Sequence, residues 1–368
     1  MPNPPDAALE RFFDQAASEH VAAMASVGQV ERLLCFADRR VRVRFAGSDL
    51  ADALTAAFRP RVSELDSPAD VTIGLWEERH APGGALEVPW GDGDIGARGL
   101  VRYGDDARFV AMHEAGSLAV TLVDRERRAL LYRVPDVGTL PWWERAAPLR
   151  PALFWALSGS GVHLVHAGAV GDSQRGGVLL AGAGGSGKTT VALAALAAGM
   201  SYVADDYLLL RNDGEPVAWN LFATAKLDAG HLGRFPQLAA DVTVSAEPVA
   251  GEKAVLDVHR LLPHALVRSL PIRAVLVPRI RGGKARLRST SAAAALLALA
   301  PSTAFQMPYD DGRVLGSLAD VVRGVPAFSL DVGDDPGELA DAVDRVLDAV
   351  ERGDGAVAEP SSPALRAS

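Results

Sequence analysis

One cysteine, Cys35, is all that the 368 residues contain. An intramolecular disulfide and a cysteine-based zinc cluster are thereby excluded, and a reducing cytoplasm is the expected compartment. Basic charge is also in deficit: 37 Lys and Arg stand against 46 Asp and Glu, a net charge of −9. That balance argues against a surface that holds nucleic acid or anionic lipid by charge alone, and it leaves room for a local nucleotide site. Long apolar runs are missing too. The most apolar, residues 292–300, is about half of what a bilayer crossing needs, so no membrane partner is expected. Residues 1–28 carry Asp6, Glu10, Asp14 and Glu19 without a basic start and apolar stretch, so no secretory signal is expected. No internal repeat is visible.

With 49% hydrophobic residues, the length suits two compact domains. Residues 40–45 alternate polar and apolar with period two, as do parts of 107–114 and 117–124; Ala115 and Gly116 would turn the last two into a hairpin. Ser48 reads as the cap of a short helix over 49–58, stopped by Pro60. Residues 82–99, rich in Gly and Pro, read as a loop. These features predict an α+β domain over residues 1–150 without visible catalytic chemistry. The pattern changes at 148–151, and a second domain is expected over 151–352: a helix at 152–157, apolar strand-like runs at 163–170 and 177–181, a helix over 189–198 ended by Gly199, and a strand at 201–204. Strands are expected at 254–258 and 272–277 and a buried helix at 291–299. Asp335, Pro336 and Glu338 read as N-cap, first helical residue and capping-box partner of a last helix, whose Leu339, Val343, Val346, Leu347 and Val350 share one face. Residues 353–368, polar and small, are expected to be a disordered tail.

The chemistry concentrates in Gly182, Ala183, Gly184, Gly185, Ser186, Gly187, Lys188 and Thr189, a full match to G-x-x-x-x-G-K-[ST] between an apolar run and a helix. Glycines let such a loop turn its N–H groups onto phosphate oxygens, and the helix start adds a partial positive charge. Lys188 is expected on the β- and γ-phosphates and the Thr189 hydroxyl on Mg²⁺, which makes ATP and Mg²⁺ the expected ligands. Asp205 follows Lys188 by 17 residues, at the end of the next apolar run, with Asp206 beside it. At the carboxyl ends of an open α/β sheet, both would face the phosphates. One carboxylate suffices for the metal; a second is useful where an alcohol must lose its proton as it attacks phosphorus. His163 and His166, three apart in one strand-like run, would point to opposite faces, so at most one reaches the site. A satisfied core histidine is the commoner role.

His166 before the loop, the loop itself, and Val203-Ala204-Asp205-Asp206 one helix later together resemble the catalytic domain of HPr kinase/phosphorylase, over roughly residues 160–350. The resemblance implies an α/β, P-loop catalytic domain with a smaller N-terminal α+β domain. It makes Asp205 the base for the acceptor hydroxyl, Asp206 a metal contact and His166 their support, with the two aspartates exchangeable in role. Segments around Lys226 and Lys253 resemble HPr-kinase-like serine kinases of biosynthetic gene clusters, where a basic residue would meet phosphate or acceptor. As bare residues, Lys253 is evenly balanced between that role and a solvated lysine, and Lys226 is read as solvated. Two departures stand out. The family's loop typically ends Gly-Lys-Ser-Glu, whereas this one ends Gly187-Lys188-Thr189-Thr190, leaving Thr190 rather than a carboxylate beside the nucleotide. The family's later signature for attack by inorganic phosphate is not found, so the reverse phosphorylase reaction is not expected; the N-terminal domain resembles that of the biosynthetic kinases more than the regulatory domain of HPr kinases, so HPr is not the expected acceptor.

The resulting expectation is an ATP-dependent kinase acting on a hydroxyl of a peptide, small protein or small-molecule alcohol, and the resemblance implies a homo-oligomer. Two alternatives are a P-loop switch that hydrolyses or senses nucleotide, and a phosphoenolpyruvate carboxykinase-like enzyme. The first lacks an ABC signature or a guanine motif; for the second the chain is short.

Overall fold

The computed structural model describes residues 6–82, 86–102, 107–243, 253–306 and 312–353. Residues 354–368 of the expected tail, and residues 251–252 before Lys253, lie outside the described residues. The fold is mixed α/β with three sheets.

Eight strands of the first half form one sheet, in the order Val62–Ser63, Gln29–Phe36, Arg39–Ala46, Val71–Glu77, Ala129–Val134, Val120–Asp124, Phe109–His113, Leu100–Arg102. The hairpin expected around Ala115 and Gly116 is present, with His113 opposite Val120. Helix Asp6–Val27, which the sequence reading did not anticipate, lies on this sheet. Leu9, Phe12, Phe13, Ala16, His20 and Ala23 recur at helical spacing and are all buried. Ser48 is not a cap: Gly47, at φ 97°, precedes the helix Ser48–Thr55, and Pro60 sits inside a following 3₁₀ segment rather than stopping it. A positive φ is where glycine is favoured over Ser.

The second sheet runs Ser201–Ala204, Gly168–Asp172, Gly176–Leu180, Ser269–Ile280, Pro216–Asn220, Leu208–Asn212, Val162–Val165. Its long strand, Ser269–Ile280, is the spine: the first residues pair with Pro216–Asn220, the later ones run parallel to Gly176–Leu180 and to Ala327–Val332. Helices Lys188–Ala197 and Pro336–Glu351 pack on one face and Ala292–Gln306 and Arg313–Gly324 on the other. Strands covered on both faces need apolar residues throughout, which is why Gly176–Leu180 reads as an unbroken apolar run. Asp335 caps the last helix by accepting from the Gly337 N–H, but Glu338 bonds the Ala285 N–H instead of closing a capping box. Thr224–Asp228, Lys253–Asp257 and Val242–Thr243 form the small third sheet.

The apolar run 163–170 is not one strand. It bends at His166 and Ala167, between Val162–Val165 at one edge of the second sheet and Gly168–Asp172 near the other. Residues 205–207 make the same passage from Ser201–Ala204 to Leu208–Asn212. Strand register lays these two crossings side by side: Leu208 pairs with Val165, and Ala204 with Ala169. Leu153 and Leu157 of helix Arg150–Leu157 join apolar residues of the first sheet and Leu209, Leu221 and Phe222 of the second half in one core. None of the described helices is long and apolar enough to cross a membrane.

Candidate functional site

Strands Gly176–Leu180 and Ser201–Ala204 are parallel, each antiparallel to Gly168–Asp172 between them. Their carboxyl ends and the His166 bend therefore meet at one end of the sheet. The sequence reading took the two strands as direct neighbours; the intervening strand is what adds His166 to the group.

The loop after Gly176–Leu180 bends sharply into helix Lys188–Ala197. Gly187 is at φ 104°, and a Cβ there would stand 3.0 Å from Val332 Cγ2, so both backbone and space require glycine. The first-turn N–H groups of the helix have no intrahelical partner and supply an anion-binding end. The Lys188 ammonium arches over the loop and donates to the carbonyls of Gly182 (2.6 Å) and Ala183 (3.2 Å). Burial pushes its pKa down, against the pull of Asp206 and Asp205. Ser186 Oγ is buried without a hydrogen-bond partner and packs against Gly182, where a Cβ would clash with it.

The two aspartates occupy different environments. Asp205 is buried and fully engaged: Tyr202 OH donates to Oδ1 (2.9 Å), and Thr189 Oγ1 (2.9 Å) and the Lys226 N–H (3.2 Å) donate to Oδ2. Burial and the adjacent Asp206 push its carboxyl up. Asp206 lines the cleft. Lys226 Nζ donates to its Oδ2 (2.5 Å), and His166 Nε2 stands 2.7 Å from its Oδ1. His166 Nδ1 faces the Ser302 carbonyl at 3.3 Å, so the ring is held at both nitrogens. Burial opposes ionisation of Asp206, yet Lys226 and His166 outweigh it and hold the carboxyl far below the usual carboxylate range.

These groups line a cleft of about 210 Å³. Residues 183–190 of the loop and helix start, including Ala183, Gly184, Gly185 and Thr190, form one wall; Asp206, Lys226, Lys253 and His231 stand opposite. Lys226 is not the solvated lysine expected: it is buried, with its ammonium on Asp206 and beside the Tyr207 ring. Lys253 is exposed on the cleft's rim. A larger cleft of about 420 Å³, beside helix Arg150–Leu157, is lined by none of the loop residues and by neither Asp205 nor Asp206.

Several contributors carry no motif. Tyr202 holds Asp205, and the Asn220 amide ties the Val203 carbonyl to that of Phe222, 2.7 Å each, fixing the strand that delivers both aspartates. Tyr207 lies against His166 with ring centroids 5.3 Å apart. Only their buried polar atoms at the ends of apolar strands hinted at this in the sequence.

No protein-family model matches the chain, and no curated protein matches it. Among solved structures it is similar to the Hpr(Ser) kinase/phosphatase from Coxiella burnetii, with 14% identity, a TM-score of 0.30, and coverage of 51% of this chain and 99% of that one. Likeness at that level defines no function, and the chemistry is read from the site's own residues.

Proposed function

We propose that the chain is an ATP-dependent kinase that moves the γ-phosphoryl group to a hydroxyl of a peptide, small protein or small-molecule alcohol. The observation that supports this most is Asp206, an ionised carboxylate in the cleft opposite the phosphate loop, held in place through both oxygens. A carboxylate so placed can take a proton from an alcohol or from water, and which of the two attacks is what the test below decides.

In this reading the loop N–H groups and Lys188 bind and orient the phosphates. Among the described residues no cluster of three His, Cys, Asp or Glu is placed to hold a metal by itself. Mg²⁺ asks for less, one or two protein oxygens beside substrate phosphates, and the Thr189 hydroxyl, which lines the cleft and donates to Asp205 behind it, fits that donor set. Bound there, Mg²⁺ would neutralise phosphate charge. Asp206 takes the acceptor's proton as the acceptor oxygen bonds to the γ-phosphorus and the bond to the β-bridging oxygen breaks, leaving ADP. Proton removal comes late in a loose transition state, so a weak but well-placed base suffices. This gives Asp206 the base role and Asp205 the metal side, the exchange that the sequence reading had left open.

The test is γ-labelled ATP with serine peptides and small alcohols. The wild type is expected to put label into a phosphoester. Asp206→Asn should lose transfer, with nucleotide affinity by calorimetry changed less than about tenfold, while Lys188→Ala loses binding and transfer together. Label found only as inorganic phosphate would sink the kinase reading; an active Asp206→Asn beside a dead but nucleotide-binding Asp205→Asn would return the base role to Asp205.

A further inference from the structure

Tyr207 has no part in the chemistry above, yet it touches both groups that grip Asp206. The pairing of Leu208 with Val165, carried one residue further, sets Tyr207 opposite His166. The two rings stack at 5.3 Å with a 34° tilt, and Lys226 Nζ lies 5.0 Å from the Tyr207 ring centroid. An aromatic face beside an ammonium is a favourable and directional contact. The ring itself is buried and fastened at its far end: Arg150 Nη1 donates to the hydroxyl (2.8 Å), and the hydroxyl donates to Gln306 Oε1 (3.0 Å).

Arg150 is in turn set from the first half of the chain. Its guanidinium is 3.6 Å from Glu144, which accepts from Tyr132 OH at 3.0 Å, and Tyr132 belongs to the first sheet. A continuous line of polar contacts thus runs from that sheet, through Glu144 and Arg150, to the ring that backs both partners of Asp206.

We infer that Tyr207 is a positioning residue for phosphoryl transfer: its ring holds His166 and Lys226 on Asp206, and Arg150 locks the ring by anchoring it to the first sheet. This rests on the kinase reading. Its consequence is that the first half of the chain, whatever else it binds, is built into the alignment of the candidate base.

Two substitutions separate ring from hydroxyl. Tyr207→Leu removes the stacking face and is expected to lower kcat about thirtyfold while the KM for ATP stays within about twofold, since a small displacement of a base costs rate rather than nucleotide affinity. Tyr207→Phe keeps the face but loses the Arg150 lock at the hydroxyl, so its kcat is expected to lie between, about three- to fivefold below wild type, and a Tyr207→Phe protein at the wild-type rate would overturn the lock. A wild-type kcat in Tyr207→Leu, or a Tyr207→Phe protein as slow as Tyr207→Leu, would overturn the role given to the ring. A second readout does not depend on transfer. In protein with labelled histidines, the His166 ring signal, identified by its loss in His166→Gln, should be displaced upfield by the Tyr207 ring in the wild type and in Tyr207→Phe. An undisplaced His166 signal in the folded wild type refutes the inference even if no variant folds. If the wild type transfers nothing but the signal is displaced as expected and moves back in Tyr207→Leu, the kinase reading fails and the positioning of His166 by Tyr207 stands.

Discussion

Replacing Lys226 with methionine keeps most of the apolar stem and removes the ammonium from Asp206. Lys226 is 8% exposed and the Asp206 side chain 23%, so the pair lies between a surface ion pair and a fully buried one. Breaking a fully buried pair costs about 3–5 kcal/mol because the remaining charge is stranded. Here His166 still holds one oxygen of Asp206, which brings the expected loss to about 2–3 kcal/mol. A double-mutant cycle with Asp206→Asn isolates the pair, and its coupling should be about 2 kcal/mol in urea unfolding of the four proteins. Exposed ion pairs give about 0.2–1 kcal/mol, so a coupling below about 0.5 kcal/mol would refute the reasoning from burial. The pH dependence supplies a second check. Burial disfavours the charged form of Asp206, but Lys226 and then His166 prevail and depress its pKa from 3.8. Stability from a depressed carboxyl is present above its ordinary pKa and lost as pH falls. The gap between wild type and Lys226→Met should therefore be full at neutral pH and narrow below about pH 4.

Glu114 offers the opposite sign. Its carboxyl Oε2 is buried, and burial first, then the neighbouring Glu144, push its pKa from 4.5 up to about 8. The folded chain then keeps a proton that the unfolded chain releases, so stability falls between those two values by about 1 kcal/mol per pH unit. Glu114→Gln should flatten that slope in thermal melts, and an unchanged slope would remove Glu114 as its source. Gly74→Ala probes the seat of the N-terminal helix. A Cβ there would lie 2.7 Å from the His20 ring, whose Nε2 is hydrogen-bonded to the Arg44 carbonyl at 3.0 Å. Displacing the ring should cost about 2–4 kcal/mol and speed proteolysis near Gly28; unchanged stability would show that His20 has room to move.

What the sequence makes legible is what is local. Turn, anion-binding end and lysine of the phosphate loop are all set within residues 182–189, and the last helix announces its own start at Asp335. Tyr207 and Arg150 are different: their partners depend on the register between residues 162–165 and 208–211 and on a helix packed between sheets. Lys226 misleads for a related reason. Alone it is a lysine in a short polar-apolar strand, and its burial depends on Asp206 and Tyr207, which the fold brings from a different crossing. Sheet order is similarly non-local. Nothing between residues 176 and 204 reveals that the strand Gly168–Asp172, which precedes both, lies between the two that carry the site. The N-terminal helix did have its signal, in the spacing of Leu9, Phe12, Phe13, Ala16 and His20.

The adjacency of Asp205 and Asp206 makes them look equivalent, yet the backbone cannot treat them so. Neighbouring residues leaving a strand project to opposite sides, so one carboxylate turns under the helix bearing Thr189 and the other turns toward His166. The first meets three donors in a buried setting, where its pKa rises; the second meets the Lys226 ammonium and the His166 ring beside the cleft, where its pKa falls. A pair of titratable groups driven apart in this way is suited to two different tasks. Exchanging them is also sterically specific, since a one-residue shift of the strand would swap both environments at once. The division of labour proposed for the two aspartates would therefore be carried by the strand Ser201–Ala204 and by the Tyr202 and Asn220 contacts that fix it. Asn220→Ala, which touches neither carboxylate, should blur that division: transfer should fall about tenfold or more with nucleotide affinity retained, and equal loss of both would show that Asn220 supports the phosphate loop instead.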